Sequence, residues 1–447
     1  MLLQVNYRKF SQSLKRRNFF RIFYAQNTVC ILLLSNLCWQ VSGQDSIRSN
    51  IKMDIEIRPR IEYYHHFKQL STDTFTSDFY NIQRNRLNVV YENKKVKFVA
   101  ALQEIHLFGK ENTTSRIGSI NFYELYAEPA LFKNLSLRIG RQRLLFDNGR
   151  MFSDAPWAQQ SRAHEGFRFL YHKAELTSDL IATFTRDYGD KYEAAYSPVA
   201  SHVYQWLWLH HLKYKINDRI TITTINVAER FDRKTNTDAF YIRFTHGGRF
   251  EFFKKNFYLT LNAFYQHGQT ATKKNINAFY LQPEISYTRD KIKIRLGAEI
   301  MSGDDLSQPN TDSHSFVPLY GVAWKFMGNM NFFTRFPADS GNSGLINPYF
   351  FVIFNLSKKI TLRVDSHLFY SMYPLLDKQK NQADTYLCFE SDLLLFYKPN
   401  NKIDIQYGLS CLRSNESFQL LNRIENTTST PLWSYLMISY RFSVYEK

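Results

Sequence analysis

The chain has 447 residues, a formal net charge of +17, 16% aromatic residues (38 Phe and 29 Tyr) and four cysteines. No stretch after residue 45 holds the roughly 18 consecutive apolar residues that a membrane helix needs. High Tyr and Phe content with β-branched residues favours strands, so any membrane crossing has to be made by strands.

Residues 1–28 carry Arg8, Lys9, Lys15, Arg16, Arg17 and Arg21 and no acid; 29–39 is apolar, and Val41-Ser42-Gly43 precedes Gln44. A basic region, an apolar run too short to span a bilayer and a small-residue end make 1–43 a secretory signal peptide. Arg16-Arg17-Asn18-Phe19-Phe20 superficially matches a twin-arginine motif, but that route carries folded cargo and suits a membrane barrel poorly. Six of the 17 charges lie in the leader, leaving +11 (17 minus 6) for residues 44–447. A cationic chain can meet nucleic acid, anionic lipid or an acidic substrate. Export argues against nucleic acid, which leaves outer-membrane lipid and lipopolysaccharide, and an anionic solute.

From Gln44 onward the dominant period is two. In the first strand Ile51, Met53, Ile55 and Ile57 alternate with Lys52, Asp54, Glu56 and Arg58, and the polar set continues through Arg60 and Glu62. Similar stretches follow at 78–92, 95–108, 119–130, 134–144, 165–173, 175–187, 202–215 and 219–230. The second half adds 237–252, 257–269, 276–289, 291–302, 346–357, 359–371, 385–398, 402–413 and 433–445. With the first strand (51–67) this makes about 18 strands, and single-chain bacterial barrels have even counts. Connections alternate between tight turns, as at 93–94 and 216–218, and long loops at 109–118, 145–164, 188–201 and 303–345. This is the layout of an all-β transmembrane antiparallel barrel with short periplasmic turns and long extracellular loops. The stretch 318–328 could be a further strand, but including it makes the count odd. It is read as part of one loop, 303–345, that folds into the lumen as a constriction.

The faces follow from parity. Ile292, Ile294, Leu296, Ala298 and Ile300 form one lipid-facing set, and Leu436, Ile438, Tyr440, Phe442 and Val444 another. Trp206, Trp208, Tyr204, Trp433 and Tyr435 suit interfacial girdles. A Lys or Arg facing lipid at mid-membrane costs roughly 2–4 kcal/mol, so Arg58, Arg60, Arg84, Arg86, Arg138, Arg168, Arg243, Arg295 and Arg363 are assigned to the lumen. Acids of lumen parity include Glu124, Glu128, Asp179, Glu284, Glu390 and Asp392. Rings of Arg and Lys select anions, and guanidinium forks grip carboxylates.

Other chemistry is sparse. His65-His66 and His210-His211 are adjacent, hence on opposite strand faces, which is poor ligand geometry for a metal. Asp304, Asp305 and Asp312 read as solvated loop acids, and Cys388 and Cys411 as wall residues of neighbouring strands. No nucleophile constellation stands out, so neither catalysis nor a cofactor is expected.

Two stretches carry a resemblance. The first holds Arg138, Gly140-Arg141-Gln142, Asp147-Asn148-Gly149-Arg150, Trp157, Gln160, Arg162 and Gly166-Phe167-Arg168. The second holds Ser302-Gly303-Asp304-Asp305, Phe316, Pro318-Leu319-Tyr320-Gly321 and Lys325-Phe326-Met327-Gly328. Together they resemble the alginate export family of outer-membrane proteins. That resemblance implies an 18-stranded barrel whose arginine-rich lumen passes anionic polysaccharide by diffusion. It also implies an electropositive constriction, a role assigned here to Arg58, Arg60, Arg84, Arg86, Arg138, Arg141 and Arg168. On strict alternation from Leu137 and Ile139, Arg141 faces lipid, so it needs a bulge or a position above the membrane.

The sequence therefore predicts a monomeric channel in the bacterial outer membrane. It would pass an anionic, alginate-like saccharide passively, with periplasmic export partners upstream. A general porin is the first alternative; a barrel hydrolase and an adhesin are the others.

Overall fold

The computed structural model describes residues 49–66, 70, 77–109, 119–185, 204–233, 236–308, 311–424 and 430–447. The expected signal peptide, 1–43, lies outside them. The first nine strands are β1 (Asn50–His65), β2 (Asp78–Glu92), β3 (Val96–Leu107), β4 (Ser119–Phe132), β5 (Leu135–Gln142), β6 (His164–Lys173), β7 (Leu176–Phe184), β8 (Trp206–Lys215) and β9 (Ile220–Arg233). The second nine are β10 (Asn236–Lys254), β11 (Phe257–Gln269), β12 (Asn275–Arg289), β13 (Ile292–Met301), β14 (Leu345–Asn355), β15 (Ile360–Tyr370), β16 (Tyr386–Asn400), β17 (Ile403–Ser414) and β18 (Leu432–Glu446). Each pairs antiparallel with its sequence neighbour, and β1 pairs with β18 from Lys52↔Glu446 to His65↔Leu432, closing an 18-stranded barrel. Closure gives every strand a neighbour on both sides, the condition for strands to cross a bilayer.

Four of the tight turns share a device. Asn93, Asn217 and Asn400 each accept two backbone N–H groups from the following residues through Oδ1, and Ser357 does the same through Oγ. Asn and Ser supply a side-chain acceptor that mimics a backbone turn. The hairpins at that end therefore need only a few residues.

Strand faces alternate. In β11, Phe257, Leu259 and Leu261 are exposed on the outer wall, while Thr260, Asn262 and Gln266 are buried within. Trp206 and Trp208 are exposed as expected of a girdle. Tyr204, Trp433 and Tyr435 are instead buried, which corrects their assignment. The parity that sets Leu436 and Ile438 toward lipid turns Trp433 and Tyr435 inward.

Two long connections turn into the barrel. Residues 143–163, between β5 and β6, bury Leu144, Phe146, Met151 and Phe152; residues 302–344, between β13 and β14, bury Phe316, Phe326, Met330 and Phe333. They meet at a Phe152–Tyr320 bridge, where Tyr320 N donates to Met151 O at 2.7 Å and Ser153 N to Tyr320 O at 3.1 Å. Gly321 is needed there, since a Cβ would overlap the Arg150 carbonyl. The connection 145–164 thus leaves the wall at the long-loop end, as read, but folds into the barrel instead of standing outside it. Each buried Phe or Leu gains about 1.5–3 kcal/mol over exposure, and an outer loop could not bury this many. The stretch 318–328 forms no strand beyond that bridge. A helix, α1 (Glu416–Asn422), capped by Asn415 Oδ1 on Phe418 N, sets Phe418 against Phe332 and Phe333.

The plug fills one end only. Along β1 the inward residues from Glu56 to Tyr64 are buried, whereas Lys52 and Asp54, nearer the tight turns, stay partly exposed.

Candidate functional site

Arg58, Arg60 and Arg84 project from β1 and β2 onto the carbonyls of the β5–β6 connection. Arg58 donates to Pro156 O (2.7 Å), Trp157 O (3.3 Å), Ala158 O (2.7 Å) and Gln159 Oε1 (3.1 Å). Arg60 donates to Trp157 O at 3.0 Å and to Glu62, and its guanidinium lies 4.0 Å over the Trp157 ring. Arg84 bonds Glu56 and reaches Ala158 O at 3.2 Å. All three are buried. Chemically this is a receptor for a loop backbone: guanidinium forks satisfy carbonyls that would otherwise be orphaned in the interior.

Arg86 stands one step nearer the open end. It donates to Gln103 Oε1 (2.5 Å) and Ser161 Oγ (3.3 Å) and stacks on Tyr123.

The remaining lumen arginines each hold a wall carboxylate. Arg138 bonds Glu128 at 2.6 Å and stacks on Tyr126. Arg168 forks onto Asp179, with both bonds at 3.1 Å. Arg243 forks onto Glu229 (2.8 and 3.1 Å), which also accepts the Tyr320 hydroxyl at 2.5 Å. Arg295 forks onto Glu284, and Arg363 onto Asp365. Glu124 binds Arg143 at 2.9 Å.

Arg141 is the exception. It lies on the outer wall, bonded to Glu165 at 2.8 Å and to Phe122 O at 2.8 Å. Its assignment to the constriction is corrected: no bulge intervenes in the β5–β6 register, and alternation carries it outward. The position has its own logic. β5 pairs with β4 only as far as Leu125↔Arg141, so the outer end of β4 lacks a partner, and the guanidinium caps one exposed carbonyl there. A groove of about 760 Å³ opens beside it, between Phe122, Leu125, Ile139 and Phe167.

Residues 49–370, well over half of the chain, match the alginate export family. The chain belongs to the alginate export family. Structural likeness agrees on architecture. Pseudomonas aeruginosa OccK5 (OpdH) superposes with a TM-score of 0.58 at 13% identity, covering 88% of this chain and 98% of that one. OccK8 (OprE) and OccK9 (OpdG) of the same organism give 0.60 at 12% and 0.61 at 11% identity, with the same coverage. No curated protein matches by sequence. This alginate export family member is a bacterial outer-membrane barrel of the channel type. Its family and fold are those of transport porins rather than enzymes.

Within that family frame, several charged groups matter that strand parity did not single out. Arg150 Nε meets Glu299 Oε1 at 2.6 Å, joining the first inner connection to β13. Arg162 donates to the carbonyls of Tyr320 and Gly321; burial pulls its guanidinium down to about 10. Arg143, half exposed, bridges Glu124 and Asp154. Burial lowers its pKa, but Glu124, Tyr123 and Asp154 outweigh that and hold it above its ordinary value. Lys325 donates to Asn148 O at 2.7 Å; its enclosure within the barrel and the charges of Arg295, Arg363 and Arg249 pull its ammonium down. These four lie in connections, where period two gives no signal. Arg441 is different: it shares lumen parity with Trp433 and Tyr435, and it bonds Glu56 at 2.6 Å.

Arg86, Arg143, Lys402 and Arg441 line one pocket of about 450 Å³ with Asp54, Glu56, Asn88 and Glu124. It sits where the inner connection ends and the open half of the barrel begins.

Proposed function

We propose that the barrel passes an anionic saccharide passively, entering from the periplasmic, tight-turn end, and that the pocket of Arg86, Arg143, Lys402 and Arg441 is its first carboxylate subsite. The observation that carries this reading is that pocket: four cationic groups at the foot of the plug, facing the open half. A uronate carboxylate would take the place of water on Arg143 and Arg441, both of which are substantially exposed. Glu56 and Glu124 keep those guanidinium groups oriented and hold the affinity low enough for release. Arg58, Arg60 and Arg84 act differently, as the seat of the plug that must yield for a polymer to pass. The closed sheet suits a monomer, and export partners would deliver the polymer at the periplasmic face.

The test is planar-bilayer reconstitution. Anion-selective conductance, blocked by oligouronates and less so in Arg86→Ala and Arg143→Ala, is the expected result. Cation selectivity, or equal block by neutral oligosaccharides, would overturn the proposal and favour a general porin. The bidentate wall pairs such as Arg168–Asp179 support that second reading, because they neutralise much of the lumen charge.

A further inference from the structure

Away from that pocket, three carboxylates and an imidazole gather under the second inner connection. Asp365 and His367 project inward from β15, and Asp392 and Glu390 from β16, directly opposite in the register. All four are buried to 2% exposure or less. One possible ligand atom from each of Asp365, His367 and Asp392 lies within 4.8 Å of the others.

The charges do not balance. Arg363 forks onto Asp365. Among the described residues neither Asp392 nor Glu390 has a cationic partner, and Asp392 Oδ1 and Glu390 Oε2 are buried with no hydrogen bond formed, the Ser410 hydroxyl standing across the register from Asp392. The other oxygens are taken by the plug: Asn329 N donates to Asp392 Oδ2 at 3.2 Å and Met330 N to Glu390 Oε1 at 2.7 Å. Gly328, at φ +75°, permits this approach, because a Cβ there would overlap the Glu390 carboxyl. His367 Nδ1 lies 3.2 Å from Asn347 Oδ1, which assigns the proton to Nδ1 and leaves Nε2 as the basic nitrogen. One oxygen of each carboxyl, Asp392 Oδ1 and Glu390 Oε2, thus keeps its lone pairs beside the imidazole Nε2, in an interior where a buried charge needs a partner.

We propose that Asp365, His367 and Asp392 bind one divalent metal ion, with Glu390 beside them, holding in place the carboxylates that receive Asn329 N and Met330 N of the inner connection. One imidazole among carboxylates favours a first-row ion such as Zn²⁺ or Mn²⁺ over Ca²⁺ or Mg²⁺, which prefer all-oxygen shells. The site shares no residue with the proposed carboxylate subsite and stands independently of it.

The experiment uses the untagged, folded barrel in detergent, stripped with chelator and titrated calorimetrically with Zn²⁺. One ion per chain is expected. Asp392→Asn and His367→Gln should each weaken binding by about tenfold or more, while Asp404→Asn, elsewhere in the sheet, leaves it unchanged. Should a variant fail to fold, the wild-type barrel still decides: Zn²⁺ should raise, and chelator lower, the temperature at which it unfolds on gels. No stoichiometric binding, undiminished binding in both variants, or an unfolding temperature indifferent to Zn²⁺ would each overturn the proposal. So would an Asp392→Asn barrel that is more stable than wild type in chelator and in Zn²⁺ alike, the mark of two carboxyls sharing a proton.

Discussion

Arg150 and Glu299 meet at 2.6 Å inside the barrel, a loop guanidinium on a wall carboxylate, with the Tyr280 hydroxyl bonded to the same oxygen at 2.5 Å. Removing one partner strands the other. Arg150→Ala should destabilise the barrel by about 3–5 kcal/mol, the usual result of breaking a buried pair. The double variant Arg150→Met with Glu299→Gln should recover most of that. Denaturant unfolding of the detergent-folded protein reads both, and a loss under about 1 kcal/mol in the single variant would show that the pair is not a mainstay.

Gly321 lies where the two inner connections cross. Gly321→Val forces a side chain into the Arg150 carbonyl and should cost about 1–3 kcal/mol. The strands themselves are untouched, so the barrel should still fold while single-channel conductance rises. Unchanged conductance would mean that the crossing does not restrict the passage.

Arg58 and Arg86 should behave oppositely although they are one β-strand apart. Arg58 is spent on four loop oxygens, so Arg58→Ala should loosen the plug and raise conductance with little effect on oligouronate block. Arg86 lines the pocket, so Arg86→Ala should weaken block by about tenfold. Identical behaviour in the two variants would erase the distinction between seat and subsite.

Arg141 offers an internal control. Arg141→Ala leaves the Phe122 carbonyl and the Glu165 carboxylate without their partner on the lipid face. A loss of about 1–3 kcal/mol in stability is expected, with ion selectivity unaltered. A shift in selectivity would return this residue to the conduction path.

The barrel was readable because its signal is local and repeated. Period two in β1, β13 and β18 set the inner and outer faces, and the strand count followed from even parity. Arg141 obeyed the alternation that its family-based role had overridden. The interior was far less readable. Arg58, Arg60 and Arg84 show only as inward cations. Whether such a cation meets water, a carboxylate or a carbonyl depends on contacts about a hundred residues away, such as Arg58 with Ala158. A local clue did exist in the apolar density of Leu144, Phe146, Met151 and Phe152, which is excessive for an outer loop.

The ring of Trp157 touches Arg60 on β1 and both Trp433 and Tyr435 on β18, with centroids 5.7 and 5.4 Å from those two rings. Its binding place therefore straddles the joint between the first and last strands, and does not exist until the chain's two ends have met. The connection between β5 and β6 thus acts as a clasp across the barrel's closing seam, set only when assembly is complete. A chain ending before β18 should leave residues 143–163 open to protease even where the earlier strands have formed. Protection of that segment in such a truncated chain would show that the clasp needs only half of its seam.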